Sequence, residues 1–258
     1  MKLEIDEYAH LESPLHRWDP RYKLTALFLL LLAFSLVRDL RLLPGMVLVS
    51  STLYALSSLP LSFLLVRLRS PGFFLLMMAV LLAFFSGETP LFRVGPLTLW
   101  REGCLDLLLI ATKFFCILTV GFVLFGTARF FTTVNAMRSL GLPTALADMV
   151  LFSYRYIYKI GDDLERMETA IRLRGFRARR FKSMGILASL VGSILVRSYE
   201  QTDRVYKAML LRGYGQPFRS HLWDEFQARS SDIGALVAVL LVAVGFVIAE
   251  IWLRQIGG

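Results

Sequence analysis

Apolar residues along the chain fall into five long runs: Leu24 to Val37, Leu42 to Val66, Pro71 to Phe85, Leu105 to Phe125 and Ile233 to Leu253. Crossing a bilayer as a helix takes about 20 apolar residues, within a range of roughly 17 to 25. The second, fourth and fifth runs meet that length, and the first and third are short. Flanking Lys23, Arg38, Arg67 and Arg69 can reach polar headgroups and extend the short ones. The pattern predicts five spans. Between Gly87 and Glu102, Pro and Gly alternate with β-prone residues around Val94-Gly95-Pro96, which predicts a small hairpin or loop.

Between the fourth and fifth runs the period changes to that of amphipathic helices. Thr132 to Leu140 reads as a short helix stopped by Gly141. Pro143 then opens a helix that runs to Arg174, about 45 Å at 1.5 Å per residue, with Gly175 as its cap. An Arg-rich stretch (Arg177, Arg179, Arg180, Lys182) leads to a third helix from Ser183 to Arg212, stopped by Gly213. Met184, Leu187, Ala188, Val191, Ile194 and Leu195 form one stripe on it, predicted to face a partner helix. Gly185, Ala188, Ser189, Gly192 and Ser193 are the small residues that would let two helices approach closely.

Composition agrees with a membrane chain. Of 258 residues, 56% are hydrophobic and only 19% charged, too few to coat a soluble globule of this size. The same numbers exclude disorder. Two cysteines beside apolar runs exclude a disulfide scaffold. The net charge of +9 is concentrated: Gly126 to Ser231 holds 17 Lys/Arg against 9 Asp/Glu, and the remainder holds 12 against 11. Positive loops stay inside, which places that block and the polar first 23 residues on the cytoplasmic side, with no signal-peptide pattern ahead of them. A nucleic-acid surface is the rival reading of the charge, and no binding motif accompanies it. The expected organisation is therefore an N-terminal segment (1–23), four transmembrane helices (24–125), cytoplasmic helices (126–231) and a last transmembrane helix (232–258). The fold class is an all-α integral membrane protein with about five transmembrane helices plus long cytoplasmic coupling helices.

An internal repeat carries the strongest functional signal. Glu165-Arg166-Met-Glu-Thr-Ala170-Ile-Arg-Leu173-Arg174-Gly175-Phe176 matches Asp203-Arg204-Val-Tyr-Lys-Ala208-Met-Leu-Leu211-Arg212-Gly213-Tyr214 at an offset of 38, with five of twelve positions identical. About one identity is expected from composition. A single Arg-Gly reads as a helix stop, because Arg suits a helix C-terminus and Gly is the usual cap. Two matched copies suit docking to two equivalent pockets on a symmetric partner, with Arg supplying several charge-assisted hydrogen bonds. The chain has no Gly-x-x-x-x-Gly-Lys-Ser/Thr loop, so it is not expected to hydrolyse ATP. Its three histidines and two cysteines lack metal-ligand spacing, so no metal site is expected on it.

The paired Leu173-Arg174-Gly175 and Leu211-Arg212-Gly213 resemble the X-Arg-Gly motifs of the transmembrane component of energy-coupling factor transporters, called EcfT or, in cobalt and nickel systems, CbiQ. Ser13-Pro14-Leu15-His16-Arg17-Trp18-Asp19-Pro20-Arg21-Tyr22-Lys23 and Tyr154-Arg155-Tyr156-Ile157 resemble the cobalt/nickel branch. In that family a small residue usually precedes Arg-Gly, whereas both copies here have Leu. The likeness covers nearly the whole chain. It implies two ATP-binding-cassette ATPase subunits at the helix tips, with ATP and Mg bound by those partners and no cofactor on this chain. It also implies a separate small membrane subunit that captures cobalt or nickel, and no nucleic acid. A shared vitamin-type coupling component, a membrane scaffold for some other cytoplasmic dimer, and a membrane enzyme remain the alternatives. Read from residues alone, Ser13-Pro14 and Asp19-Pro20 are two helix starts, a short interfacial helix and then the first span.

Overall fold

A computed structural model describes residues 13–85, 90–94, 97–175, 184–214 and 230–257. The polar residues before Ser13, the Arg-rich stretch at 177–182 and the segment 215–229 lie outside the described residues. Nine α-helices and one hairpin are described: α1 (Pro14–Arg17), α2 (Pro20–Leu36), α3 (Leu43–Ser57), α4 (Leu61–Phe85), β1 (Pro90–Val94), β2 (Leu97–Trp100), α5 (Arg101–Gly126), α6 (Phe130–Ser139), α7 (Thr144–Leu173), α8 (Met184–Leu211) and α9 (Ser230–Gly257). Among the described residues, three helical stretches are long and apolar enough to cross a membrane: Leu40–Ser57, Leu105–Gly126 and Ser230–Gln255. Helix α2, at 17 residues, is short for a span, and the 25-residue α4 carries Arg67, Arg69 and Pro71 inside it. The chain is an all-α membrane protein with a two-stranded hairpin between α4 and α5. The hairpin pairs Val94 with Leu97 and Arg93 with Thr98, as the turn chemistry predicts.

The second and third apolar runs are divided differently from the expectation. The run from Leu42 to Val66 breaks at Ser58, whose backbone adopts φ 55° and ψ 24° and whose N–H donates to the Ala55 carbonyl. Pro60 follows, and the residues before a proline resist helix. Helix α4 therefore starts at Leu61 and absorbs the third run, continuing through Pro71. Arg67 and Arg69, expected between two spans, sit within this helix, and the Arg67 guanidinium stacks on the Phe63 ring at 4.4 Å.

Contacts divide the described residues into two compact units, a membrane unit (up to 140 and again from 230) and a helix-pair unit (from 141 to 214). The sequence boundary at residue 126 differs from this division, because α6 packs on α2 and belongs with the membrane unit. In that unit α2 is central. Its sequence is apolar all round, and it contacts α5, α6 and α9, with Leu27, Leu30 and Phe34 fully buried. Met46 of α3, Val120 of α5 and Ala243 of α9 complete the core. Phe34 meets Phe246 edge-on at 5.3 Å, and a Cβ on Gly45 would come within 3.2 Å of the same Phe246 ring. Lipid tails are as apolar as these side chains, so close packing of this kind is what holds the helices together.

The helix-pair unit contains α7 and α8. Helix α7 has 30 residues, about 45 Å, with Pro143 at its N-cap position. The two helices face each other across an open cleft of about 610 Å³ lined by Arg155, Lys159, Asp162, Gln201 and Arg204. The predicted close-packed seam on α8 is not made within the described residues. Leu187, Val191 and Leu195 are exposed, as are Gly185, Ala188, Ser189 and Ser193, and a Cβ on Gly185 or Gly192 would meet nothing within 4 Å. The physical reason is position: α8 faces α7 through Gln201, Arg204, Val205 and Ala208, about two to four turns beyond the small residues. The side chain of Met184 lies outside the described residues.

Candidate functional site

Each Leu-Arg-Gly copy sits at a helix C-terminus, and its sequence explains the geometry. Helix α8 ends at Leu211, and Gly213 takes φ +82°, a left-handed backbone open to glycine at little cost. The Gly213 N–H donates to the Leu210 carbonyl and the Tyr214 N–H to the Met209 carbonyl, both at 3.0 Å. This doubly bonded cap satisfies carbonyls that a helix end leaves open. Helix α7 ends the same way: Gly175 has φ +86°, and its N–H donates to the Arg172 carbonyl at 3.0 Å. The caps fix the direction in which Arg174 and Arg212 leave their helices. Gly213→Ala forces an L-residue into the left-handed region at about 1–2 kcal/mol. The expected result is amide exchange in the last turn of α8 faster by roughly 5- to 30-fold, measured by hydrogen–deuterium exchange. Unchanged protection would remove the cap from the account.

The leucines and arginines of the two tips are presented outward. Leu173 is 84% exposed and Leu211 90%. Basic residues nearby on the same helices are paired one turn back: Arg172 with Glu168, Lys207 with Asp203 at 2.6 Å and Arg204 with Glu200 at 3.7 Å. Arg174 and Arg212 have no ion-pair partner among the described residues. The repeat itself accounts for this, since the residue four positions before each is alanine, Ala170 and Ala208. Each tip thus offers a free guanidinium beside an exposed leucine, on a helix end held by its cap.

The spacing of the tips follows from one hydrogen bond. The Tyr214 hydroxyl donates to Asp148 Oδ2 at 2.8 Å, which sets the second motif beside the start of α7. The first motif closes the far end of α7, so the two are separated by most of that helix, roughly 39 Å at 1.5 Å per residue.

Lys113 and Glu250, charged residues within the helices of the membrane unit, had not been singled out from the sequence, and Lys23, expected to reach polar headgroups at the end of the first span, is instead buried. Lys113 of α5 donates to the Ser35 carbonyl and, at 3.0 Å, to the Val37 carbonyl, both at the end of α2. Glu250 of α9 accepts from the Arg38 and Asp39 amides at 3.1 and 3.2 Å. At the other end of α2, buried Lys23 donates to the carbonyls of Leu15 and Thr127, each at 3.1 Å. The available signal for Lys113 and Glu250 was their presence inside apolar runs, where a charge is costly and needs a partner.

Fold and site together define a polytopic helical membrane protein carrying a duplicated helix-tip site. Residues 12–222 match the family model described as "CbiQ: Cobalt transport protein", and the chain belongs to that family, the transmembrane components of energy-coupling factor transporters. It is similar over nearly its full length to proteins named energy-coupling factor transporter transmembrane protein EcfT. That of Bacillus selenitireducens is 26% identical, with 98% of each chain covered. That of Brevibacillus brevis is 27% identical, covering 94% of this chain and 96% of the relative. That of Bacillus subtilis is 24% identical, covering 93% and 95%.

Proposed function

We propose that this chain couples ATP hydrolysis by two separate ATP-binding-cassette subunits to uptake of cobalt or nickel ions through a separate small membrane capture subunit. ATP and Mg are held by the ATPases, and the metal ion is cargo. The observation that carries the reading is the repeated tip: two arginines without an ion-pair partner among the described residues, each beside an exposed leucine, separated by most of the length of α7. Each ATPase subunit receives one tip, and closure of the ATPase pair moves α7 and α8. The concentration of positive charge between Gly126 and Ser231 supports a cytoplasmic location for these helices and for the N-terminus, in the cell membrane. Exposed Leu146, Met149, Val150, Ile157, Ile160 and Leu164 on α7 supply an apolar surface suited to the capture subunit or the bilayer.

The relatives above are named for energy coupling without a metal, which favours a second reading, a coupling component shared by vitamin-type capture subunits. Proteoliposomes containing this chain, its genomic-neighbour ATPases and the neighbouring capture subunit separate the two. ATP-dependent accumulation of Co²⁺ or Ni²⁺ supports the first, and accumulation of a vitamin without either metal supports the second.

The alanines before the tips yield a further expectation. Ala170→Glu with Ala208→Glu places a carboxylate one turn before each motif arginine, and such exposed pairs contribute about 0.3–0.5 kcal/mol. Affinity for the ATPases is expected to fall roughly 2-fold per tip and to recover in high salt, where the competing pair is screened. A titration of labelled ATPase onto the variant at two ionic strengths measures it; an affinity equal to wild type at low salt would contradict the role of the alanines.

A further inference from the structure

We infer that the N-terminal segment Ser13–Lys23 is a coupling clasp, in which Trp18 and Lys23 hold together the end of α5 and the start of α9, the two helices that precede and follow α6, α7 and α8 along the chain. Thr127 follows the last residue of α5, and Asp232 lies in the first turn of α9. Lys23 donates to the Thr127 carbonyl and Trp18 Nε1 donates to the Asp232 carbonyl, all at 3.1 Å. The same lysine donates to the Leu15 carbonyl, which ties the short helix α1 to both. Only five positions separate Trp18 from Lys23, so one rigid turn reaches two segments that are otherwise 105 residues apart in sequence.

The clasp is built, not incidental. Lys23 is 2% exposed, and Ser13, Trp18, Asp19, Thr127 and Asp232 are also buried. Asp19 caps α2 by accepting from the Arg21 N–H at 2.9 Å, which fixes the direction in which Lys23 leaves the helix. A buried lysine is retained only where its donors are used, and here one falls on the C-terminal end of α5, where the helix dipole favours a cation. Helix α2, which carries Lys23, is also the helix against which α5, α6 and α9 pack. Along the chain these two helix ends flank α6, α7 and α8, and the clasp makes them move as one with α2. Trp18 and Lys23 are positioning residues in this scheme, which rests on the coupling function proposed above.

The test asks whether the two helix ends respond together. Trp18→Phe keeps an aromatic ring and deletes the N–H on the Asp232 carbonyl with the rest of the indole; Lys23→Met keeps an unbranched side chain of similar length and deletes the ammonium that bonds both carbonyls. In lipid nanodiscs, hydrogen–deuterium exchange is followed in α6 and in the first turns of α9. Each variant is expected to raise exchange about 10-fold in both segments, the change that loss of one buried hydrogen bond of ordinary strength produces. A merely local contact raises only its own segment: α9 for Trp18→Phe, α6 for Lys23→Met. That result would overturn the clasp, and if Lys23→Met does not fold, Trp18→Phe decides alone. In the assembled transporter the same variants are expected to keep ATPase binding and hydrolysis while uptake per ATP falls at least several-fold. Should the wild-type complex fail to transport, the proposed function falls, and the exchange experiment still decides the clasp.

Discussion

Replacing both tip arginines, Arg174→Ala with Arg212→Ala, is expected to abolish ATP-driven uptake while leaving the chain folded in the membrane. Both side chains are exposed and make no ion pair among the described residues, so their removal takes no contact from the fold. Their value lies in the partner. An arginine seated in a desolvated pocket contributes 2 kcal/mol or more to an interface, so each single variant is expected to weaken ATPase binding by about 30-fold and the double by far more. Losses at the two tips are expected to add, because sites separated by most of α7 share no partner groups. Uptake in proteoliposomes and co-purification with the ATPase measure this together. A double variant that keeps both would reduce the repeat to a pair of helix stops.

The second large effect concerns the far end of α2. Lys113→Met is expected to destabilise the membrane unit by about 2 kcal/mol, because it leaves the Ser35 and Val37 carbonyls without their charged donor. This exceeds the average of about 0.6 kcal/mol for a hydrogen bond between membrane helices, since the carbonyls at a helix end have no intrahelical alternative. Glu250→Ala removes the acceptor for the Arg38 and Asp39 amides and is expected to cost a similar amount. The two act on one helix end, so the double variant is expected to cost less than the sum, by 0.5 kcal/mol or more. Reversible unfolding in mixed micelles reads all three. Strict additivity, or no effect from Lys113→Met, would contradict a joint clamp on α2.

The tips were legible in the sequence because glycine, arginine and an internal repeat are local signals: Gly175 and Gly213 require their left-handed backbone, and Ala170 and Ala208 explain why the arginines stay free. The divided spans were only partly legible. Hydropathy counts apolar residues and is blind to Ser58-Leu59-Pro60, which ends α3, and to a helix that runs on through Pro71. The small residues of α8 pointed to a crossing that lies further along the helix, at Gln201 to Ala208, because small side chains permit close approach without compelling it. Lys23, Lys113 and Glu250 were not legible as a system. Their partners are backbone groups of residues distant in sequence, such as Thr127 and Val37, and a backbone carbonyl leaves no pattern in side-chain identity. The N-terminal helix starts at Pro14 and Pro20 were read correctly, but nothing in their spacing indicated that the segment also holds α5 and α9.

The two tips are expected to engage two separate ATPase subunits. Cysteine introduced at Leu173 or at Leu211 in the assembled complex, followed by cross-linking and intact-complex mass spectrometry, tests this most directly. The predicted result is one copy of this chain with two ATPase subunits, each tip cross-linking to a different copy and either cross-link forming without the other. A complex holding a single ATPase subunit, or both tips cross-linking to the same copy, would contradict it.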